Sequence, residues 1–197
     1  MNRICILFII IICTSCVTPH FTHTYQSAYT SLDLQTNNWL LNCNSGGMHP
    51  VNDKIFTKKA INGFSKMGID TINNFKDTTL KYITPSLLSF NTPEEILKVL
   101  RSTTNYNYLV NILAKEVHNN YFSMGGASIK RRSAKIEIKV YDLATLKSCY
   151  HKKVIASVRF EKDKENNILY FIDDVDHLKI KALREALKDI KKKSFTK

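Results

Sequence analysis

Histidine and cysteine side chains are the groups in this 197-residue chain that could bind a metal ion, and their spacing gives two candidate pairs. His20 and His23 are three residues apart in a polar N-terminal segment, while Cys149 and His151 are two apart on one face of a predicted strand. A zinc site needs three or four such ligands, and no third is near either pair in the sequence. The spacing therefore predicts no metal site, and Cys149-x-His151 is interpreted as an exposed strand face.

Paired carboxylates, which general acid–base catalysis uses, occur at Glu94-Glu95 and Asp173-Asp174. Each pair stands at the start of a predicted helix, where negative charge complements the helix dipole, so the helices account for them. The chain has no Gly-x-Ser-x-Gly motif, no P-loop and no dinucleotide-binding glycine motif. These patterns predict no catalytic residue, no cofactor and hence no enzyme.

The N-terminus indicates a third chemistry, lipid modification. Arg3 precedes an uninterrupted apolar run over residues 4–13. A run of this length is typical of a signal-peptide core, whereas a helix that crosses a bilayer needs about 20 apolar residues. The alternatives are a plain secretory peptide cut near Pro19 and a short buried helix.

Two small residues, Thr14 and Ser15, stand directly before Cys16, and this arrangement resembles the lipobox of bacterial lipoproteins. Cys13 departs from the pattern, which prefers Leu there. The resemblance implies that residues 1–15 are removed as a signal peptide and that Cys16 is acylated, with palmitate among the acyl groups. Several acyl chains suffice for stable membrane anchoring.

The residues after Cys16 bear on the membrane in which the anchor sits. In a Gram-negative host, Asp directly after the cysteine retains a lipoprotein in the inner membrane, and here Val17 follows, without any acidic run. The resemblance thus implies an outer-membrane anchor and a domain that faces the periplasm.

Two cysteines remain after such processing, Cys43 and Cys149. In an oxidising compartment an even pair of cysteines predicts a disulfide, which here would close a loop of about 106 residues. In the chain-entropy model such a bond raises the free energy of unfolding by up to about 4–5 kcal/mol. The alternative is two separate thiols, because a bridge needs Cα atoms within roughly 7 Å.

Positive charge is the other distinctive property, with a formal net charge of +12. Its clusters are Lys130-Arg131-Arg132, Lys152-Lys153 and Lys191-Lys192-Lys193. Export argues against nucleic acid as the partner, which leaves acidic lipid headgroups or an acidic protein. The alternative is that the clusters are solvated helix ends and loops.

Hydrophobic periodicity predicts the elements that position these residues. A tether without secondary structure is expected at residues 16–37, then one globular mixed α/β domain at 38–193 and a basic tail at 194–197. About five strands are predicted at 39–43, 69–75, 108–117, 134–141 and 149–160, with a short additional one at 168–172. Three helices are predicted at 53–66, 93–102 and 174–193.

Three local features of these elements are specific enough to check. Apolar residues of both parities make strand 108–117 central and covered on both faces. Strands 134–141 and 149–160 alternate as an antiparallel hairpin with one wet face. Thr92 is predicted to cap the second helix through a capping box, and Lys179 on the last helix to face water.

A long loop at residues 121–133 is predicted between paired strands. Apolar residues lie there beside a cluster of cations, a combination typical of contact with a membrane surface or an acidic partner. The candidate contact residues are Tyr121, Phe122, Met124, Lys130, Arg131 and Arg132. The alternative is a loop whose charge has no role.

The order of elements resembles a group of envelope domains over about residues 38–193. These are the curli-secretion lipoprotein, the penicillin-binding-protein activator lipoproteins and the amino-terminal domain of the Tol translocation protein. The passages NTPEEILKVLRSTTNYNYLVNIL and IEIKVYDLATLKSCYHKKVIASV and the last helix carry the resemblance. Leu146 departs from it, because the family has Gly at that place in the hairpin turn.

The family resemblance implies a protein that does not catalyse a reaction and binds other proteins or assembles into envelope machines. The function predicted first is therefore an envelope lipoprotein that binds a protein partner. A structural subunit of a homo-oligomeric assembly and an enzyme with an unrecognised site are the alternatives.

Overall fold

A single mixed β-sheet with helices on both faces forms the framework of the protein. The computed structural model describes residues 20–25, 38–69, 71–78, 80, 83, 89–117, 122–124, 127–161 and 174–194. The strands are β1 (His20–Tyr25), β2 (Asn38–Asn44), β3 (Thr71–Asn74), β4 (Tyr108–Val117), β5 (Phe122–Met124), β6 (Ala127–Asp142) and β7 (Lys147–Glu161). The helices are α1 (Pro50–Ser65), α2 (Glu94–Thr103) and α3 (Val175–Ser194). The predicted mixed α/β class with three helices is confirmed.

The strand order is β1-β7-β6-β4-β2-β3, and β5 pairs with the first residues of β6. β2 runs parallel to both β3 and β4, whereas β4, β6, β7 and β1 pair antiparallel in succession. Parallel neighbours need long crossover connections, and α1 lies between β2 and β3 in the chain, as α2 does between β3 and β4. The predicted antiparallel hairpin is β6 with β7.

Two apolar cores lie on opposite faces of the sheet. Alternation along β2 sends Trp39 and Leu41 into the core beneath α1 and α3, and Leu40 into the core beneath α2. β4 does the same with Val110 and Leu109, both fully buried, so its predicted central position is confirmed.

The start of α2 differs from the predicted capping box. Its N-cap is Pro93, without a side-chain cap hydrogen bond. The Thr92 hydroxyl instead donates to the Ser89 carbonyl at 3.0 Å and accepts from the Asn111 amide at 2.8 Å. Asn111 of β4 is buried, so its side-chain amide needs a hydrogen-bond partner within the protein, and the Thr92 hydroxyl is one.

The β6–β7 turn keeps its hairpin despite lacking the family's glycine. The Asp142 carboxylate accepts from the Ala144 backbone N–H at 2.8 Å and from the Thr145 hydroxyl at 3.0 Å. Leu146 adopts φ +60°, a conformation that costs a side-chain-bearing residue about 1–2 kcal/mol. Its side chain packs against the core beneath α2, which offsets that strain.

Strand β1 lies inside the segment that was predicted to be a tether. Six residues, from His20 opposite Ser157 to Tyr25 opposite Lys152, extend the sheet beyond β7. Four of its residues, His20, Thr22, His23 and Thr24, are exposed and lie on both faces of the strand, so no apolar alternation marked it. Residues 16–19 and 26–37 of the predicted tether lie outside the described part, as do residues 1–15 and the strand predicted at 168–172.

Two lysines that were interpreted as surface charges are buried. Lys179 on α3 is 3% exposed, and its ammonium donates to the Gly46 carbonyl at 3.1 Å. Lys152 on β7 is fully buried and forms an ion pair with Asp189 of α3 at 2.5 Å. Each lysine therefore ties α3 to another part of the fold instead of facing water.

Candidate interaction surfaces

The candidate contact residues at 121–133 belong mostly to strands. Tyr121 lies outside the described residues, but Phe122 and Met124 are in β5, which pairs with the start of β6. Lys130, Arg131 and Arg132 are in β6, opposite residues 160, 159 and 158 of β7. The predicted long loop is wrong because β6 begins at Ala127, well before residue 134, where the predicted strand starts, and residues 127–133 pair with β5 and β7.

The predicted Cys43–Cys149 bridge is not formed. Both cysteines are free thiols, on β2 and β7 respectively. β4 and β6 lie between these strands, and three inter-strand steps of about 4.8 Å separate them by roughly 14 Å, twice what a disulfide spans. Burial raises the pKa of each thiol to about 12, so neither is reactive at neutral pH.

A groove runs between α1 and α3 on one face of the molecule. Phe56, Ala60 and Phe64 are the buried residues of α1, and Gly63 of the same helix adjoins Leu187 of α3. A Cβ added at Gly63 would lie 2.5 Å from a Leu187 methyl group, so the Leu187 side chain would have to shift. The groove beside this crossing has a volume of about 400 Å³.

The groove combines an apolar floor with basic rims. Buried side chains of Met67, Ile180, Leu183 and Leu187 form the floor. Exposed cations line the two rims: Lys59 of α1 and Lys66 directly after it on one side, and Arg184, Lys188 and Lys191 of α3 on the other. The lining contains no acidic residue, although Lys188 pairs with Glu185 of α3 at 2.6 Å. Such a surface can bind an anionic group that also carries apolar atoms.

A pattern in the sequence could have revealed this groove. Lys59 and Lys66 are seven residues apart, and Arg184, Lys188 and Lys191 follow the i, i+4, i+7 spacing of one helix face. Each set borders the apolar stripe of its own helix. The crossing of the two helices, which places the stripes side by side, is decided by tertiary packing.

A second cavity, of about 210 Å³, is lined by polar and apolar residues from the end of β2, the middle of β4 and the segments at 75–76 and 89–90. The Asn42 amide donates to the Asn111 side-chain oxygen at 3.1 Å. Asn111 in turn donates to the carbonyls of Ser89 and Phe90, which holds the segment before α2 against the sheet. Asn42 and Asn111 thus use these hydrogen bonds to hold parts of the fold together.

The wet face of the β6–β7 hairpin carries a small charged cluster. Burial opposes ionisation of Glu137, but the ion pair with Lys135 and the hydrogen bond from His151 outweigh it and lower the pKa of Glu137. Burial also lowers the pKa of His151, despite Glu137 at 3.4 Å. At neutral pH the cluster is thus the Glu137 carboxylate between the Lys135 ammonium and a neutral His151 imidazole.

None of the candidate metal pairs gains a third ligand in the described residues, which contain no group of three or more His, Cys, Asp or Glu suited to a metal ion. His20 and His23, three residues apart in β1, fall on opposite faces of the sheet and cannot share an ion.

Among the described helices, none is both long and apolar enough to span a bilayer.

No protein-family model matches the chain, and no curated protein matches it. Among solved structures, the chain is similar to the PelC dodecamer from Paraburkholderia phytofirmans, with 10% identity, a TM-score of 0.46, and coverage of 87% of this chain and 98% of that one. It is similar to lipoprotein GNA1162 from Neisseria meningitidis, with 12% identity, a TM-score of 0.36, and coverage of 78% and 96%. It is also similar to hypothetical protein CT253 from Chlamydia trachomatis, with 8% identity, a TM-score of 0.42, and coverage of 82% of this chain and 100% of that one. Similarity at these levels assigns no function.

Proposed function

We propose that this chain is a lipid-anchored protein of the bacterial cell envelope that binds a protein partner and catalyses no reaction. The anchor is Cys16, and the domain faces the periplasm from the outer membrane. The signal-peptide-like run and the small residues before Cys16 support the anchor. The resemblance to curli-secretion, penicillin-binding-protein activator and Tol domains stays a prediction.

The observation that carries the binding function is the groove between α1 and α3. Five cations on two rims around an apolar floor select an occupant with carboxylates at its margins and apolar side chains at its centre. An acidic amphipathic segment of another protein has this composition, and helix-in-groove docking is a common way to bind one. We therefore assign the groove to an acidic amphipathic segment of the partner.

A second candidate function, a subunit of a homo-oligomer, is favoured by the position of β1. This strand ends the sheet on one side, with β7 as its neighbour and no further strand beyond it among the described residues. An edge strand offers backbone groups to a second copy. Light scattering coupled to size-exclusion chromatography tests it: an oligomer supports this candidate, and a monomer across a wide concentration range removes it.

The anchor is tested by labelling cells with radioactive palmitate. Label is expected in the wild-type protein and absent from Cys16→Ala. Equal labelling of the two proteins would remove the lipid anchor from the proposed function.

The groove is tested by photo-crosslinking in living cells. A crosslinking amino acid replaces Asn62, which lines the groove, or Thr145, which is exposed in the β6–β7 turn. A protein crosslinked from position 62 and not from 145 is expected. Its yield should fall roughly tenfold in Lys59→Glu/Lys66→Glu, corresponding to about 1.4 kcal/mol of binding free energy.

The matched control is Lys54→Glu/Lys58→Glu, which makes the same charge change at two exposed positions of α1 outside the groove lining. It is expected to crosslink like the wild type. Equal losses in both double variants would show that net charge, not the groove, governs binding. No partner from position 62 would refute the assignment.

A further inference from the structure

The pairing of β1 with β7 shortens the link between the proposed anchor and the folded domain. Cys16 precedes His20, the first residue of β1, by four residues. Four residues span at most about 14 Å, so the acylated residue lies within that distance of the start of β1. A tether reaching to residue 37 would have let the domain turn freely, whereas this link fixes which end of the sheet is next to the bilayer.

The register identifies that end. His20 pairs with Ser157 of β7, and Ser157 pairs with Ser133 of β6. Beyond this row, β6 and β7 continue for four more pairs, from Arg132 opposite Val158 to Ile129 opposite Glu161. The start of β1, which Cys16 precedes by four residues, is therefore near the same end of the sheet as these four pairs. This open end of the β6–β7 hairpin, opposite its turn, is called the tip.

The tip has the composition of a membrane contact. Over those four pairs the strands place Lys130, Arg131, Arg132 and Arg159 together, against the single acidic residue Glu161. Apolar residues share the tip, with Phe160 opposite Lys130 and the short strand β5 (Phe122–Met124) alongside. Four cations near a lipid attachment point are the arrangement that anionic headgroups attract, since each basic residue near the surface strengthens binding severalfold.

We infer that the end of the sheet formed by residues 127–132 and 158–161, together with β5, lies on the anionic bilayer surface into which Cys16 is anchored. This inference rests on the proposed lipid anchor. The anchor supplies attachment, and the cations set the orientation: the hairpin tip touches the headgroups and the β6–β7 turn points away from them. The turn lies about 45 Å from the tip, because β6 advances about 3.3 Å per residue from Ser128 to Asp142.

The test measures the distance of each end from the membrane in the acylated protein. The protein is reconstituted into vesicles of phosphatidylethanolamine and phosphatidylglycerol that contain a headgroup spin-labelled lipid. A fluorophore is attached at Ser128→Cys in the tip, at Glu161→Cys as a second tip position, or at Thr145→Cys in the turn. The native thiols of Cys43 and Cys149, whose pKa is raised to about 12, contribute a background that unsubstituted protein measures.

Quenching at either tip position is expected to exceed quenching at Thr145→Cys at least threefold. The ratio of quenching at the tip to quenching at the turn should approach one in the variant Lys130→Ser/Arg131→Ser/Arg132→Ser. It should also approach one for the unchanged tip in phosphatidylcholine vesicles and in high salt, which screens exposed charges. The control Lys54→Ser/Lys58→Ser/Lys98→Ser loses the same charge elsewhere and should keep the wild-type ratio.

Mass spectrometry of the reconstituted protein separates the two ways this can fail. If Cys16 is not acylated, the proposed anchor is wrong and the orientation inferred from it is withdrawn as well. If Cys16 is acylated but tip and turn are quenched equally, or the ratio is the same in phosphatidylcholine, the anchor stands and the orientation is refuted. The cations of the tip would then belong to an acidic protein partner.

Discussion

Two ion pairs of α3 allow the effect of burial to be measured at nearly constant distance. Lys152 and Asp189 approach to 2.5 Å, and Lys188 and Glu185 to 2.6 Å. The Lys152 side chain is 0% exposed, whereas that of Lys188 is 59% exposed. If distance decided their contribution, removing either carboxylate would have the same effect on stability.

The free energies of unfolding are expected to differ because the unpaired charge differs in its access to water. Asp189→Ala leaves an ammonium buried without its carboxylate and should cost about 3–5 kcal/mol. Glu185→Ala leaves a solvated ammonium and should cost less than about 1 kcal/mol. Lys152→Met replaces the buried cation with an apolar side chain of similar length, and the double variant Lys152→Met/Asp189→Ala should recover at least about 2 kcal/mol relative to Asp189→Ala.

Urea unfolding followed by circular dichroism measures these differences. With an m-value of about 2–3 kcal/mol/M, Asp189→Ala should lower the midpoint by about 1–2 M, and Glu185→Ala by less than about 0.5 M. Similar midpoints for the two single variants would refute the argument from burial. A double variant no more stable than Asp189→Ala would show that the lost carboxylate mattered through contacts other than the pair with Lys152.

Three further measurements test other parts of the structure. Gly46→Ala should lower the free energy of unfolding in urea by more than about 3 kcal/mol, because φ is +63° and the added carbon would lie 2.0 Å from a carbonyl oxygen of β4. Gly47→Ala, where φ is +73° and the added carbon meets open space, should cost only about 1–2 kcal/mol. Equal costs for the two variants would contradict the close approach at Gly46. Burial opposes ionisation of Asp176, but its hydrogen bonds and a neighbouring ammonium outweigh this and lower its pKa below 3.8. Between the folded and unfolded pKa values the unfolded chain binds more protons, so stability is lost as pH falls below about 3.8, and the advantage of wild type over Asp176→Asn should shrink there; a constant difference in acid titrations would contradict this. Cys43 and Cys149 should resist alkylation in the native protein and both react after denaturation without reductant, and mass spectrometry showing no reaction in the denatured chain would indicate a disulfide after all.

Local patterns in the sequence determined most elements of the fold. The alternation around Ile136, Ile138 and Val140 predicted the inner part of β6, and apolar residues of both parities predicted the central place of β4. The stripe of Leu178, Ala182 and Leu183 predicted α3. These predictions held because burial of one or both faces imposes a period that the residues themselves display.

Tertiary pairing decided the elements that show no such period. Strand β1 is held by backbone hydrogen bonds to β7, more than 100 residues later in the chain, while its exposed Thr22 and Thr24 give no apolar signal. The outer part of β6, at residues 127–133, was interpreted as a loop for the same reason. Backbone pairing does not depend on side-chain type, so edge and terminal strands are poorly marked in a sequence.

The environment of individual charges was also decided by tertiary structure. Lys152 and Lys153 are adjacent in the sequence, yet Lys152 is fully buried against α3 and Lys153 lies on the opposite, half-exposed face. Lys179 has the helical position of a solvent-facing residue, but the loop after β2 covers it and supplies the Gly46 carbonyl. A buried charge is stable only if it has a partner. The Asp189 carboxylate beside Lys152 and the Gly46 carbonyl beside Lys179 come from distant parts of the chain, while Asp176, at 3.5 Å from the Lys179 ammonium, lies on the same helix.

The candidate sites divide along the same line. The sequence by itself determined the expectation of an anchor at Cys16, because signal-peptide and lipobox patterns are local, and it determined the cationic composition at residues 130–132. It could not place the start of β1 and the cations at 130–132 at one end of the sheet, nor set the cations of α1 against those of α3. Both arrangements depend on which strands pair and which helices cross, and those long-range contacts are what the tertiary structure adds.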